Sequence, residues 1–332
     1  MKRFLLRTLL FLMPFIVALA YYLFLVDKEA MRGDLGRMSQ TQFHYTMPQL
    51  DTLNVAPCRD VAMNMVMPLE DDEIVVFGDS FSSEDDRKWP NCRWHQFMGA
   101  CIGKKIVMTG DFFRPVESYL TMLSYHPEYL GDTVIIETVE RALVDRLCWL
   151  DFNNIADFDT VADDNAPTTP LDKWNKQKRL PVQYYQRQVG IDVPVLTKKL
   201  DSPLFSCRPD KLYYFADDTI THTEWEINMA VANLQKLDSI SKAHGITLFL
   251  VAIPDKYTAY HNYIKRSDKT KRLLEKTCPF DSIQNFINTL PAISEQIKKG
   301  VVDVYLPDDT HFSIPTARVI GEYVAQKLTL QP

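Results

Sequence analysis

Short runs of consecutive apolar residues recur along the chain, each bounded by Gly, Asp or Pro. They are Glu73–Phe77, Lys105–Thr109 (followed by Gly110), Thr133–Glu137, Ile246–Ile253 and Val301–Leu306. Runs of this length with apolar side chains on both faces read as strands of a sheet covered on both sides. Between them the spacing turns helical. Trp94–Ile102 has that spacing, as does 115–125 through Val116, Tyr119, Leu120 and Leu123. Residues 224–243 follow it through Ile227, Ala230, Val231, Leu234 and Leu237, with Gly245 placed to end the helix. Ser313 is positioned to cap a closing helix that carries Pro315 in its first turn and runs to about Leu328. Strand and helix alternating every ~25–30 residues predicts an α/β domain with a mainly parallel sheet.

Two stretches lack this rhythm. Residues 28–68 are polar and irregular and read as a stalk. Residues 151–218 are rich in Asp, Asn, Pro and Lys, include Ala166-Pro167-Thr168-Thr169-Pro170, and read as an insertion such as a lid or flap. The domain proper is then 69–332.

The N-terminus has a different pattern again. Lys2, Arg3 and Arg7 precede nineteen uncharged residues, Thr8–Val26, interrupted only by Pro14. At about 1.5 Å per residue a helix of that length spans roughly the hydrocarbon core of a bilayer. Ala18-Leu19-Ala20 resembles a cleavage site, so a signal peptide competes with an anchor. The apolar run continues past that point, which favours a retained anchor over 1–27. Lys28, Arg32 and Arg37 follow the run, so basic residues balance across it. A very short basic tail ahead of a large domain places that domain in the periplasm or cell exterior.

Composition narrows the function classes. The net charge is −6, with no basic block or stripe, which argues against a nucleic-acid partner. Six cysteines are widely spaced with no CxxC pair; Cys92 and Cys101 are the closest in sequence. His44, His95, His126, His222, His244 and His261 show no metal-ligand spacing, so no metal and no cofactor are expected. Trp89, Trp94, Trp149, Trp174 and Trp225 are either core residues or sugar-stacking platforms.

Two segments carry candidate chemistry. Gly78-Asp79-Ser80 directly follows the 73–77 strand, which puts a serine hydroxyl at the carboxyl edge of the sheet, where ligands of open α/β sheets bind. Asp308-Asp309-Thr310-His311 follows the 301–306 run and places a histidine with a carboxylate two or three residues upstream. Together they supply a nucleophile, a base and an orienting carboxylate for acyl or ester transfer. Asp79 is expected to brace its turn. Arg141, with Glu140, reads either as a substrate contact or as an ion-pair brace. Lys256 and Tyr260 read either as cleft-lining groups or as ordinary surface side chains.

These segments resemble the SGNH hydrolase-like superfamily, with its early Gly-Asp-Ser block and late Asp-x-x-His block. Closest in pattern are the alginate O-acetyltransferase (AlgJ/AlgX-like) proteins. Gly78-Asp79-Ser80-Phe81-Ser82-Ser83 is similar to their nucleophile segment, and Ile136-Glu137-Thr138-Val139-Glu140-Arg141 to their strand ending in Glu-Arg. Ala252-Ile253-Pro254-Asp255-Lys256-Tyr257-Thr258-Ala259-Tyr260 resembles their Pro-x-Lys segment with its following tyrosine. Asp309-Thr310-His311-Phe312 resembles Asp-Thr-His-Trp, with Phe replacing Trp. The blocks cover roughly 74–321. The serine-first order departs from the alginate-type proteins and matches the wider superfamily and the DltD-like proteins. The superfamily's Asn-containing block is absent.

The resemblance implies a three-layer α/β/α domain acting as a membrane-anchored O-acyltransferase. The acyl group, acetyl, would move onto polysaccharide hydroxyls through a Ser80 acyl-enzyme, with His311 as base. Asp308 fits the general superfamily pattern for the orienting carboxylate, and Asp309 the acetyltransferase pattern. Without the Asn block, the oxyanion hole would rest on the N–H groups of Ser80 and Gly110 and a further, unassigned donor. Arg141, Lys256 and Tyr260 would contact substrate, and a multi-span membrane acyltransferase would supply the acetyl groups. A carbohydrate acetyl-esterase and a non-catalytic glycan-binding protein are the alternatives.

Overall fold

A strand that is apolar on both faces is stable only where both faces are covered. That rule organises this computed structural model, which describes residues 2–20, 33–39, 41–51, 53–63, 69–83, 92–111, 113–153, 155, 195–266, 272–275 and 279–330. Six parallel strands form the main sheet: β1 (Cys58–Val61), β2 (Glu73–Phe77), β3 (Lys105–Thr109), β4 (Thr133–Val139), β7 (Thr247–Ile253) and β8 (Phe286–Asn288), in the order β1-β3-β2-β4-β7-β8. The intervening β5 (Val195–Lys199) and β6 (Lys211–Phe215) make a separate antiparallel hairpin.

Side chains alternate along each strand between two apolar clusters. Ile74, Val76, Ile135, Phe249 and Val251 pack with Trp94, Phe97 and Met98 of α3 (Trp94–Ile102), Ile293 and Ile297 of α8 (Leu290–Lys298), and Ala317, Ile320 and Val324 of α9 (Ile314–Thr329). Val75, Phe77, Val134, Ile136, Leu248 and Leu250 pack instead with α4 (Pro115–Tyr125), α5 (Glu140–Cys148) and α6 (Glu224–Ala243). Helices α3 and α9 approach closely at Gly321, where a β-carbon would lie 2.3 Å from the Trp94 carbonyl oxygen. The capping box of Thr223 and Glu226 starts α6.

From β2 the chain runs through α3 to β3 on one side, then through α4 back across β2 to β4 on the other. The carboxyl ends of β2 and β4 therefore flank the point where strand order reverses, the usual ligand position in such sheets. Phe77 pairs with Thr109 and Ile136, so Gly78 begins beyond the paired region of β2.

Several expectations need correction. Residues 301–306 are not a strand: Gly300 at φ 77° and Asp303 at φ 57° break the extended backbone, leaving one isolated bridge between Tyr305 and Phe312. The presumed stalk contains α2 (Asp34–Ser39) and β1, which pairs with β3 at the sheet edge. The presumed insertion contributes the β5–β6 hairpin, whose Leu212 and Tyr214 join the core; its residues 156–194 lie outside the described residues. Strand β4 extends to Val139, and α5, α7 (Lys256–Tyr260), α8 and β8 occupy stretches to which no element was assigned. Cys92 and Cys101 are both reduced thiols.

At the N-terminus, α1 (Lys2–Ala20) is helical, and residues 21–32 lie outside the described residues. Among the described residues, no helix is long and apolar enough to cross a membrane.

Candidate active site

The turn after β2 can form only with glycine at its first position. A β-carbon on Gly78 would lie 2.4 Å from Ser82 Oγ and 2.9 Å from Glu137 Oε2. Those atoms are close because they hold the turn. Glu137 Oε2 accepts from the Asp79 N–H at 3.0 Å and from Ser82 Oγ at 2.8 Å, and Trp94 Nε1 donates to Ser82 Oγ at 2.9 Å. Burial, with the Asp79 charge adding to it, pushes the Glu137 pKa well above the usual carboxyl range. Asp79 braces the turn as expected: its carboxylate accepts from Phe81 N and Val139 N, both at 3.0 Å, and from Arg146 Nη1 at 2.8 Å. Ser80, at the tip, is exposed.

The histidine arrives on a loop folded back on itself. Leu306 N donates to the His311 carbonyl at 3.0 Å, and Ser313 N to the Val304 carbonyl at 3.0 Å. Inside the loop lies the Lys256 ammonium, fully buried. It donates to the carbonyl oxygens of Leu306 at 2.6 Å, Asp309 at 2.9 Å and Pro307 at 3.2 Å, and sits 5.0 Å from the Phe205 ring centroid. Burial pulls its pKa down to about 8, against the raising effect of Asp34, Asp308 and Asp309.

The loop and the turn meet. His311 Nε2 lies 2.9 Å from Ser80 Oγ, and His311 Nδ1 lies 2.6 Å from Asp309 Oδ1. The tautomer satisfying both contacts has Nδ1–H donating to Asp309, which leaves Nε2 to accept the Ser80 hydroxyl proton. Phe81 packs its ring 4.6 Å from the imidazole centroid and 5.4 Å from that of Phe312. Phe81, backed by Phe312, therefore covers one side of the imidazole.

Asp309 rather than Asp308 orients the histidine. Asp308 turns away: its carboxylate accepts from Tyr45 Oη at 2.6 Å and from Gly33 N at 2.8 Å. The other carboxylate oxygen of Asp309 faces the Asp34 N–H at 3.3 Å, while Asp34 Oδ1 accepts from Thr310 N at 2.8 Å. Sequence reasoning missed Gly33, Asp34 and Tyr45 altogether, because they lie some 260–275 positions from their partners in a stretch read as stalk.

Other expected site residues lie elsewhere. Lys256 and Tyr260 are fully buried and line no cleft; Tyr260 Oη accepts from Tyr305 N at 3.1 Å. Arg141 Nη1 donates to two buried carboxylates, Asp255 at 2.5 Å and Asp218 at 3.2 Å, an internal brace between the start of α5, the segment after β7 and the 216–219 turn. Gly110 ends β3 at φ 100° against Phe77 and Ser118 and is not among the cleft-lining residues.

Beside Ser80 and His311 lies a cleft of about 200 Å³, walled chiefly by Met47, Phe81, Leu306, Phe312, Ile314 and Ala317. For scale, an apolar cavity of about 150 Å³ holds a benzene-sized ligand. Arg93 reaches the same cleft but pairs with Asp60 at 2.6 and 2.8 Å. Asp34, Asp309 and His311 each bring one potential metal-ligand atom within 4.8 Å of the others. Nδ1 and both carboxylates are already engaged in hydrogen bonds there, so the cluster reads as a proton-holding arrangement.

No protein family, no curated protein and no solved structure matches this chain.

Proposed function

We propose that the protein is a serine O-acyltransferase working through an acyl-Ser80 intermediate. The observation that carries this reading is the continuous chain Ser80 Oγ–His311 Nε2, His311 Nδ1–Asp309 Oδ1, opening on a cleft at the carboxyl edge of a parallel sheet. Ser80 Oγ bonds to the acyl carbonyl carbon as its proton passes to His311 Nε2. The tetrahedral adduct then collapses, breaking the carbonyl carbon's bond to the donor oxygen, which leaves with that proton. An acceptor hydroxyl next attacks acyl-Ser80, giving its proton to Nε2, and Ser80 recovers it as the new ester departs. Asp309 keeps Nδ1 protonated and stabilises the imidazolium in both halves. The Ser80 N–H, in the turn after β2, is the proposed oxyanion donor.

The finer parts of the reading rest on the motif resemblance. Acetyl is the acyl group, a polysaccharide hydroxyl the acceptor, and a multi-span membrane acyltransferase the upstream donor. Two apolar clusters on opposite faces of the sheet agree with a three-layer SGNH-like domain. The uncharged run Thr8–Val26 supports a membrane anchor, with the domain outside the cytoplasm. Ser80 is exposed, so water also reaches the intermediate, and esterase activity is the default when acceptor is absent.

Incubation with an activated acetyl ester and polysaccharide tests the reading, following acetyl-polysaccharide and free acetate by NMR. Ser80-dependent appearance of the polysaccharide ester supports transfer. Ser80-dependent acetate alone, at saturating acceptor, supports the esterase, and neither product refutes both.

A further inference from the structure

Residues 33–36 and Tyr45 form a strap joined to the histidine loop by several hydrogen bonds. Gly33 N and Tyr45 Oη hold the Asp308 carboxylate, and Gly36 N donates to the Asp308 carbonyl at 2.9 Å. Asp34 makes the contacts nearest the imidazole. Its N–H faces Asp309 Oδ2 at 3.3 Å, and its Oδ1 accepts from Thr310 N at 2.8 Å and from Leu35 N at 2.6 Å. No β-carbon fits at Gly33, where it would lie 2.0 Å from the Asp308 carbonyl oxygen. The strap and loop are thus fitted to one another at backbone distance.

We infer that Asp34 is a positioning residue for the Ser80–His311–Asp309 chain, its side chain fixing the loop at Thr310 N and adding a second negative charge behind the imidazole. This rests on the acyl-Ser80 reading and deepens it. Asp34, Asp309 and His311 lie within 4.8 Å of one another through their functional atoms. A unit charge at that separation, in a site neither fully buried nor fully wet, shifts the imidazole by about one pH unit or more. The other charges around His311 do not duplicate it. Lys256 acts from behind through the Asp309 carbonyl, Asp308 faces Tyr45, and Arg93 in the cleft is paired with Asp60. The Phe81 ring covers one side of the imidazole. When Ser80 transfers its proton to Nε2, the imidazolium is therefore held by Asp309 directly and by Asp34 at one remove.

The test uses full-length chain in detergent, with p-nitrophenyl acetate as the acylating probe. Asp34→Asn keeps the Oδ1 acceptor for Thr310 N but removes the charge, whereas Asp34→Ala removes both. Losing the negative charge makes the imidazolium less stable, so the acid limb of the rate profile moves to lower pH. For Asp34→Asn the expected results are a limb about one pH unit lower and a maximal rate down about tenfold, with KM unchanged. Asp34→Ala falls about a further tenfold, because Thr310 N also loses its acceptor. The titration of His311, read by NMR on histidine-labelled protein, moves by the same amount as the limb and requires no turnover. If Asp34→Asn matches the parent in rate, limb and His311 titration, the inference is wrong. If the parent forms no acyl-Ser80, the acyltransferase reading fails, and the His311 titration alone then decides whether Asp34 couples to it.

Discussion

Replacing Lys256 by Met separates two roles that the sequence leaves open, substrate contact and internal brace. The buried ammonium serves three carbonyl oxygens of the histidine loop, at 2.6, 2.9 and 3.2 Å. Met fills similar volume but donates nothing. Leu306 O keeps the Asp309 N–H at 3.4 Å, which leaves the Pro307 and Asp309 carbonyls without the ammonium. An orphaned buried carbonyl costs about 1–3 kcal/mol, so the pair costs about 2–6 kcal/mol. Against this, burial has lowered the lysine pKa from 10.5 to about 8, and removing that charge recovers about 3 kcal/mol. The net stability change therefore lies between a gain of about 1 kcal/mol and a loss of about 3 kcal/mol. The rate also falls, because a loop relaxed by about 1 Å costs on the order of 100-fold in a reaction that depends on alignment. Urea unfolding and the acylation rate with p-nitrophenyl acetate measure the two quantities on one preparation. A brace predicts a slow variant with stability in that range and KM unchanged. A variant with parent-like maximal rate and an altered KM would show that Lys256 meets the substrate, contrary to its complete burial.

Three further outcomes follow from particular contacts. Asp309→Asn should lower the acylation rate by about 10³–10⁴-fold, whereas Asp308→Asn should stay within about tenfold of the parent, since only Asp309 reaches Nδ1; the reverse ranking would overturn the assignment. His95, fully buried with Nε2 2.9 Å from the Ser82 carbonyl, has its pKa lowered by burial to about 4 from 6.5. Because the unfolded chain binds this proton first, its contribution of about 3 kcal/mol is present above pH 6.5 and lost as pH falls towards 4. Urea midpoints between pH 7 and 4 should accordingly fall less steeply in His95→Gln, and equal slopes would contradict this. Gly321→Ala, whose β-carbon would lie 2.3 Å from the Trp94 carbonyl oxygen, should destabilise by about 1–3 kcal/mol through overpacking between α3 and α9; an unchanged melting temperature would refute that.

The features legible in the sequence are those whose signal is local. Strands β2, β3, β4 and β7 are buried on both faces and so appear as continuous apolar runs. Helices α4 and α6 keep their apolar residues on one side. Ser80 and the His311 loop are marked by short polar motifs following apolar runs. Strand β1 gives no such signal: Cys58-Arg59-Asp60-Val61 lies at the sheet edge, and two of its side chains are committed to ion pairs with Glu73 and Arg93. The run at 301–306 looks like a strand because its residues favour extended backbone, but Gly300 and Asp303 in the left-handed region fold it into a loop. Lys256 was open to misreading because lysine is ordinarily a surface residue, and only the tertiary fold converges three carbonyls on it. For the same reason Asp34 cannot be found by spacing, since its partner Thr310 is 276 positions away.

Mass spectrometry of the full-length chain after brief exposure to an activated acetyl ester tests the central claim most directly. The account predicts one acetyl adduct on the peptide containing Ser80, lost in Ser80→Ala and strongly reduced in His311→Ala, with the adduct disappearing when an acceptor hydroxyl is added. An adduct distributed over surface lysines, or one on Ser80 that forms equally fast without His311, would contradict it.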